Sequence, residues 1–175
     1  MTNARPVLEF TPVHGEQIAA VVRLAQQIWP EHYRSIIGQA QVDYMLARFQ
    51  SKAAITEQLN EGYEYFLLNW QGRQVGYAAV HAEPAERRLF VSKLYLLQSM
   101  RGRGLGRASM NYLARLAAQR GLPKLWLTVN KYNPALQAYL RMGFVNVGAV
   151  VNDIGQGYVM DDYRMEWTPA SDVLK

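Results

Sequence analysis

The stretch Leu94-Tyr95-Leu96-Leu97-Gln98-Ser99-Met100-Arg101-Gly102-Arg103-Gly104-Leu105-Gly106-Arg107 runs from an apolar segment through three alternating glycines into a helix-compatible segment. A strand, a glycine turn and a helix N-terminus in that order point several backbone N–H groups toward one place, and the first helical turn adds partial positive charge. Residues without Cβ let an anion approach that backbone closely. Arg101, Arg103 and Arg107 surround it with fixed positive charge. The segment therefore reads as a seat for phosphate, beside the plainer alternative that its glycines serve only tight turning and close helix packing. It lacks the spacing of Gly-x-Gly-x-x-Gly, and no Gly-Lys-Ser or Gly-Lys-Thr follows to grip a triphosphate. What remains is a generic pyrophosphate.

Working outward, Arg88 to Leu97 is the strand that delivers the chain to the turn, and about Gly104 to Gln119 is the helix that leaves it, with Leu105, Met110, Leu113, Leu116 and Ala117 as its apolar face. Upstream, Val7 to Phe10 reads as a strand broken by Thr11-Pro12. A helical pattern then runs through Ile18, Val21, Val22, Leu24, Ala25 and Ile28, ended by Trp29-Pro30. A second helix spans Gln41 to Asn60, stopped at Glu61-Gly62. Tyr63 to Trp70 and Gln74 to His81 form a hairpin around Gln71-Gly72-Arg73.

Downstream, Lys124 to Val129 is a strand, and Asn133-Pro134 is an N-cap followed by a first-turn proline. A short helix from Ala135 to Met142 closes at Gly143. Phe144 to Val151 and Tyr158 to Trp167 are late strands around the polar link Asn152 to Gly157. Hairpins mixed with helical crossovers predict an α/β (or α+β) fold, a mixed sheet of about six or seven strands flanked by helices. The expected layout is a single domain over residues 5–168 and a frayed tail over 169–175.

Half of the 175 residues are apolar and 19% are charged, a balance that fits a globular chain and excludes global disorder. No apolar run approaches about 18 residues, and Met1 to Pro6 lacks an apolar leader, so a cytoplasmic location and no membrane association are expected. With no cysteine, disulfides and thiolate catalysis are excluded. His14, His32 and His81 lack ligand spacing, and no metal is expected. The net charge of +5 is spread out, and its densest cluster sits on the glycine turn. That favours an anionic cofactor over nucleic acid, for which no recognition module stands out.

A second motif lies downstream in the right order: Asn133-Pro134-Ala135-Leu136-Gln137-Ala138-Tyr139-Leu140-Arg141-Met142-Gly143-Phe144. Together with Arg101-Gly102-Arg103-Gly104-Leu105-Gly106 it resembles the GCN5-related N-acetyltransferase (GNAT) family. That family's acetyl-CoA signature is Gln/Arg-x-x-Gly-x-Gly/Ala, and its later hallmark is Asn, a short helix and Tyr-x-x-x-Gly-Phe. The resemblance covers roughly Val7 to Trp167. It implies a sheet with splayed central parallel strands, acetyl-CoA or CoA as cofactor, and acetyl transfer to a primary amine of a small molecule or peptide. By the same resemblance the pyrophosphate rests on Arg101, Gly102, Arg103, Gly104, Leu105, Gly106 and Arg107. Pantetheine pairs with backbone near Leu96, Asn133 lies at the cofactor edge, and Tyr139 lies near the thioester sulfur.

Acetyl transfer requires an uncharged amine, a preorganised donor for the oxyanion and a proton for the departing thiolate. Tyr139 is the expected general acid, beside the plainer alternative that it is a packed aromatic whose hydroxyl only orients CoA. Many relatives place a glutamate base on the strand entering the turn, but here the aligned position is Phe90. Amine deprotonation is left to water held by Tyr95, Glu31, Glu83 or backbone carbonyls, or to acceptor that arrives neutral. Glu31, His32 and Tyr33, placed in the connection between the first two helices, join Glu83 and Tyr95 as expected acceptor contacts. Asp153, Asp161 and Asp162 read as acids around the last hairpin, able to attract a cationic amine or simply solvated. Two other expectations stay open: a CoA-binding regulatory or interaction domain with weak catalysis, and a homodimer through the late strand edges.

Overall fold

The computed structural model describes residues 7–175. Met1 to Pro6, and with them the expected domain start at residue 5, lie outside the described residues. The strands form a seven-stranded mixed sheet in the order β1-β2-β3-β4-β5-β7-β6, with five α-helices flanking it. The chain divides into two compact units, one up to Val80 plus Lys93–Ser109, the other His81–Ser92 plus Met110–Lys175.

In the first unit β1 (Leu8–Pro12) pairs antiparallel with β2 (Glu64–Trp70), which pairs antiparallel with β3 (Arg73–Glu83). Thr11-Pro12 does not break β1. Both residues hold register against Leu67 and Phe66, because a proline is tolerated on an edge strand whose N–H is not needed by a neighbour. The β2–β3 turn is Gln71-Gly72, both at positive φ (52° and 73°), the two-residue geometry that matches strand twist.

Helix α1 (Ile18–Ile37) runs through Pro30 instead of stopping at it. An interior proline removes one ladder bond and costs about 3 kcal/mol or more. Offsetting this, Ile18, Val21, Leu24, Ala25, Ile28 and Trp29 are all buried along one face, and the Trp29 indole donates to the Tyr77 hydroxyl at 3.0 Å. The expected second helix is two: α2 (Gln39–Phe49) and α3 (Lys52–Asn60). The break falls where Gln50 turns inward, buried, to accept from the Tyr77 hydroxyl at 3.0 Å, and where Ser51 caps α3 by accepting from the Ala54 N–H.

β4 (Arg88–Leu96) ends in this unit, followed by a 3-10 turn at Gln98–Met100, the glycine turn and the start of α4 (Leu105–Gln119). Met100 and Leu105 pack with Leu68, Val75 and Ala78, so both ends of the turn are tied to one apolar cluster.

In the second unit β4 pairs in parallel with β5 (Lys124–Asn130) from Arg88↔Lys124 to Phe90↔Trp126, a short ladder for strands of nine and seven residues. β5 pairs antiparallel with β7 (Tyr158–Trp167), and β7 with β6 (Val145–Gly155). The predicted polar link is mostly strand: β6 continues to Gly155, and only Gln156-Gly157 turn, at φ 54° and 80°. Helix α5 (Ala135–Met142) closes on Gly143 at φ 106°, as its spacing predicts. Among the described residues no helix is long and apolar enough to cross a membrane.

Candidate functional site

The glycine turn is open at the places where a phosphate would lie. Gly102 and Gly104 adopt φ of 74° and 76°, and a Cβ added to Gly102, Gly104 or Gly106 would meet nothing within 4 Å. The first ladder bond of α4 runs from Ala108 N to the Gly104 carbonyl, at 3.0 Å. Among the described residues, no backbone acceptor engages the amides of Gly102, Arg103, Gly104, Leu105 or Gly106. A row of amides ahead of a helix, with no side chain in front of it, is the donor set an anion needs. The Arg103 guanidinium sits 5.6 Å over the Trp70 ring, a cation–π contact that fixes one positive charge beside the turn, and Arg101 and Arg107 are exposed. The donors therefore fit a pyrophosphate.

The strand entering the turn is held by an unusually close backbone approach. A Cβ on Gly76 would lie 2.1 Å from the Tyr95 carbonyl oxygen and 3.1 Å from Leu96 Cα. The Leu97 N–H bonds to the Val75 carbonyl at 2.9 Å. Leu96 is thus positioned by β3, and only a glycine at residue 76 permits that spacing.

Glu31, His32 and Tyr33 lie within α1 and not in a connection, because the helix continues past Pro30. Tyr33 packs on Trp29 (centroids 4.7 Å apart) and edge-on to His32 (4.6 Å), and Tyr95 joins Trp29 at 5.4 Å, Tyr33 at 6.2 Å and Tyr77 at 5.3 Å. The structure therefore brings His32, Tyr33 and Tyr95 into one aromatic cluster. Exposed Glu31 lines a separate polar pocket of about 350 Å³ with Gln27, Gln98 and Ser99.

Beside this cluster is a residue that sequence reading left aside. Lys93 is 7% exposed, donates to Gln58 Oε1 at 2.8 Å and sits 5.3 Å over the Tyr65 ring, while the Tyr65 hydroxyl donates to the same oxygen at 2.7 Å. Burial pulls the Lys93 ammonium down to about 8. Its position was legible: it follows Leu89 and Val91 at the strand's inward parity.

In the second unit Asn133 is buried, and its Oδ1 accepts from the Ala135 N–H at 2.9 Å, so it caps α5 one residue earlier than the helix boundary suggests. Tyr139 packs on Phe144 at 5.5 Å, and burial pushes its hydroxyl up to about 12. That group keeps its proton at neutral pH, as a proton donor must. Glu83 is committed elsewhere. Its Oε2 accepts from Arg88 Nε and from the Trp126 indole at 3.0 Å, which makes it a holder of Trp126 rather than a carboxylate open to an acceptor.

Phe90, at the position aligned with a glutamate in many relatives, stacks on Trp126 at 4.2 Å, and the guanidinium groups of Arg88 and Arg164 lie 4.8 Å and 4.7 Å from that indole. Asp162 belongs to the last hairpin, paired with Val150, but is not a solvated turn acid. It lies within β7, opposite Asn130, and is 2% exposed.

Comparison with known proteins adds to this geometry. The family model described as the acetyltransferase (GNAT) family matches residues 19–144. The streptothricin acetyltransferase of Streptomyces lavendulae is 40% identical over 78 residues, which make up 44% of this chain and 41% of that protein, so the match spans less than half of the relative. A GCN5-related N-acetyltransferase from Rhodopseudomonas palustris shares the fold at a TM-score of 0.78 and 18% identity, over 97% of this chain and 99% of its own. The crystal structure of a nourseothricin acetyltransferase matches at a TM-score of 0.55 and 29% identity, over 63% of this chain and 68% of its own.

Proposed function

As the chain belongs to the GNAT acetyltransferase family, we propose that it is an acetyl-CoA-dependent N-acetyltransferase acting on a primary amine of a small molecule, with streptothricin-like amines as the first acceptors to test. The observation that carries this is the row of amides from Gly102 to Gly106 that no backbone acceptor engages among the described residues, with open space where a Cβ on any of its three glycines would stand. The similarity to a streptothricin acetyltransferase and to a nourseothricin acetyltransferase supports the acceptor class.

When bound, acetyl-CoA supplies an acetyl group activated as a thioester. The amides of Gly102 through Gly106, with Arg101, Arg103 and Arg107 around them, hold the pyrophosphate by hydrogen bonds and charge. The backbone at Leu96, fixed by Gly76, orients the pantetheine arm. Asn133 shapes the entry to α5 and sets the placement of Tyr139, whose hydroxyl holds the proton that the leaving group needs. His32, Tyr33 and Tyr95 contribute aromatic faces for a cationic acceptor.

The test is a screen of streptothricin, spermidine, amino sugars and peptide amines with acetyl-CoA, reading thiol release and the mass of the acetylated product. Transfer to a small amine is expected. Tight CoA binding without transfer to any amine would support instead a CoA-responsive interaction domain.

A further inference from the structure

We propose that Asp162 is the carboxylate that receives the cationic nitrogen of the acceptor, pairing with the ammonium and then taking one of its protons. This rests on the acetyltransferase reading above. Along β7 the side chains of Asp162, Arg164 and Glu166 share one face, and along β5 so do Lys124, Trp126 and Thr128. The Lys124–Glu166 ion pair (2.8 Å) and the Arg164–Trp126 contact (4.7 Å) join these into a single face of the sheet. Asp162 stands in register with Asn130, the last residue of β5, from which the chain passes directly to Asn133 and the helix bearing Tyr139. Ligands of sheet proteins collect at that end of a strand.

Thr128 lowers the Asp162 carboxyl pKa as a hydrogen-bonding neighbour, yet Asp162 Oδ1, in a residue 2% exposed, has no hydrogen-bond partner among the described residues. A buried carboxylate oxygen without a donor is costly, and native proteins rarely leave one. The cations nearby are paired with other carboxylates: Lys131 with Asp161, from where it also acts on Asp162 as a charge, Lys124 with Glu166, and Arg164 with Glu166 through Nη2 at 3.1 Å. Arg164 Nε is itself unpartnered and does not satisfy Asp162. A compact donor of positive charge fits this oxygen, and an ammonium is one.

The electrostatics agree. Burial, and to a smaller degree the neighbouring Asp161, push the Asp162 carboxyl up to about 6, against the lowering effects of Thr128 and Lys131. At pH 7.5 Asp162 is ionised and poorly solvated. It gains from an incoming ammonium, and it is basic enough to accept a proton that then leaves to water as the neutral nitrogen is consumed.

The test compares wild type with Asp162→Asn, using streptothricin and spermidine as acceptor probes. For the acetylated probe, KM should rise about 10- to 100-fold, the loss expected for one charged hydrogen bond, while KM for acetyl-CoA changes less than about twofold on the same scale. Without ligand, the variant should have a higher Tm than wild type at pH 7.5, and the difference should shrink toward pH 5 as wild-type Asp162 takes up its proton. An unchanged acceptor KM, or a variant less stable than wild type at pH 7.5, would overturn the assignment and make Asp162 an ordinary structural acid.

Should the variant fold poorly, the wild type alone decides. Probe binding measured by calorimetry must weaken as pH falls through about 6, and binding that is flat across that range overturns the proposal. If wild type acetylates no amine of the wider panel, the acetyltransferase reading fails instead, and the ligand-free Tm comparison still judges Asp162 on its own.

Discussion

The Trp29 indole N–H donates to the Tyr77 hydroxyl at 3.0 Å, and that hydroxyl in turn donates to Gln50 Oε1 at 3.0 Å. One buried oxygen on β3 thus pins α1 at the residue before its proline and pins the joint between α2 and α3. Tyr77→Phe removes the oxygen and leaves a buried N–H and a buried amide oxygen unpaired. Stability should fall by about 2 to 4 kcal/mol, read as a lower urea midpoint with an unchanged m-value. A loss below about 0.5 kcal/mol would mean that the chain of bonds holds neither element.

Gly106 separates cofactor binding from folding. Its φ is not in the left-handed region and an added Cβ meets no protein atom, so Gly106→Val should fold with stability within about 1 kcal/mol of wild type. The new methyls would stand in the phosphate seat, and CoA affinity by calorimetry should fall at least about 30-fold, or roughly 2 kcal/mol. Wild-type affinity in the folded variant would move the pyrophosphate away from this turn.

For Tyr139 the expected signature is kinetic. Tyr139→Phe should lower kcat by about 10²-fold with little change in KM for acetyl-CoA, because only the proton is removed and the ring contact with Phe144 remains. Since the hydroxyl pKa is raised to about 12 in the folded chain, its ionisation places no basic limb on wild-type activity below about pH 11. Equal losses in kcat and in CoA affinity would assign Tyr139 to orientation instead of proton transfer.

Lys93 yields a prediction about pH and stability. Its ammonium, pulled by burial down to about 8, binds a proton less readily in the folded chain than in the unfolded one. The unfolded state therefore holds more protons between the two values, and stability contributed by this group increases as pH rises through 8 toward 10. Lys93→Met should remove that increment from the curve of unfolding midpoint against pH. If the wild-type and variant curves run parallel, Lys93 titrates as a solvated lysine would.

The glycine turn, the hairpin at Gln71-Gly72 and the cap at Gly143 were all legible, because each depends on backbone conformations that one or two residues dictate locally. Sequence pattern misplaced the end of α1. Proline is a local penalty, whereas the burial of Trp29 and its bond to Tyr77, 48 residues away, belongs to the fold. The single helix expected over Gln41 to Asn60 failed for the same reason, since Gln50 is polar by composition and becomes a buried anchor only when Tyr77 reaches it. Glu83 and Asp162 show the complementary failure. Sequence offers Glu83 as an acceptor contact and Asp162 as an acid that attracts an amine or is simply solvated, and only the strand register ties the first to Arg88 and Trp126 while leaving an oxygen of the second without a hydrogen-bond donor among the described residues.

By itself, the sequence determined the mixed sheet with its flanking helices and the glycine turn that joins a strand to a helix, because periodicity and glycine conformation act over a few residues. Tertiary structure alone decided which acids and tyrosines are desolvated and which are already partnered. Those properties arise where strands and helices distant in sequence meet, and they set whether a side chain braces the fold or is left with a proton or a charge to exchange.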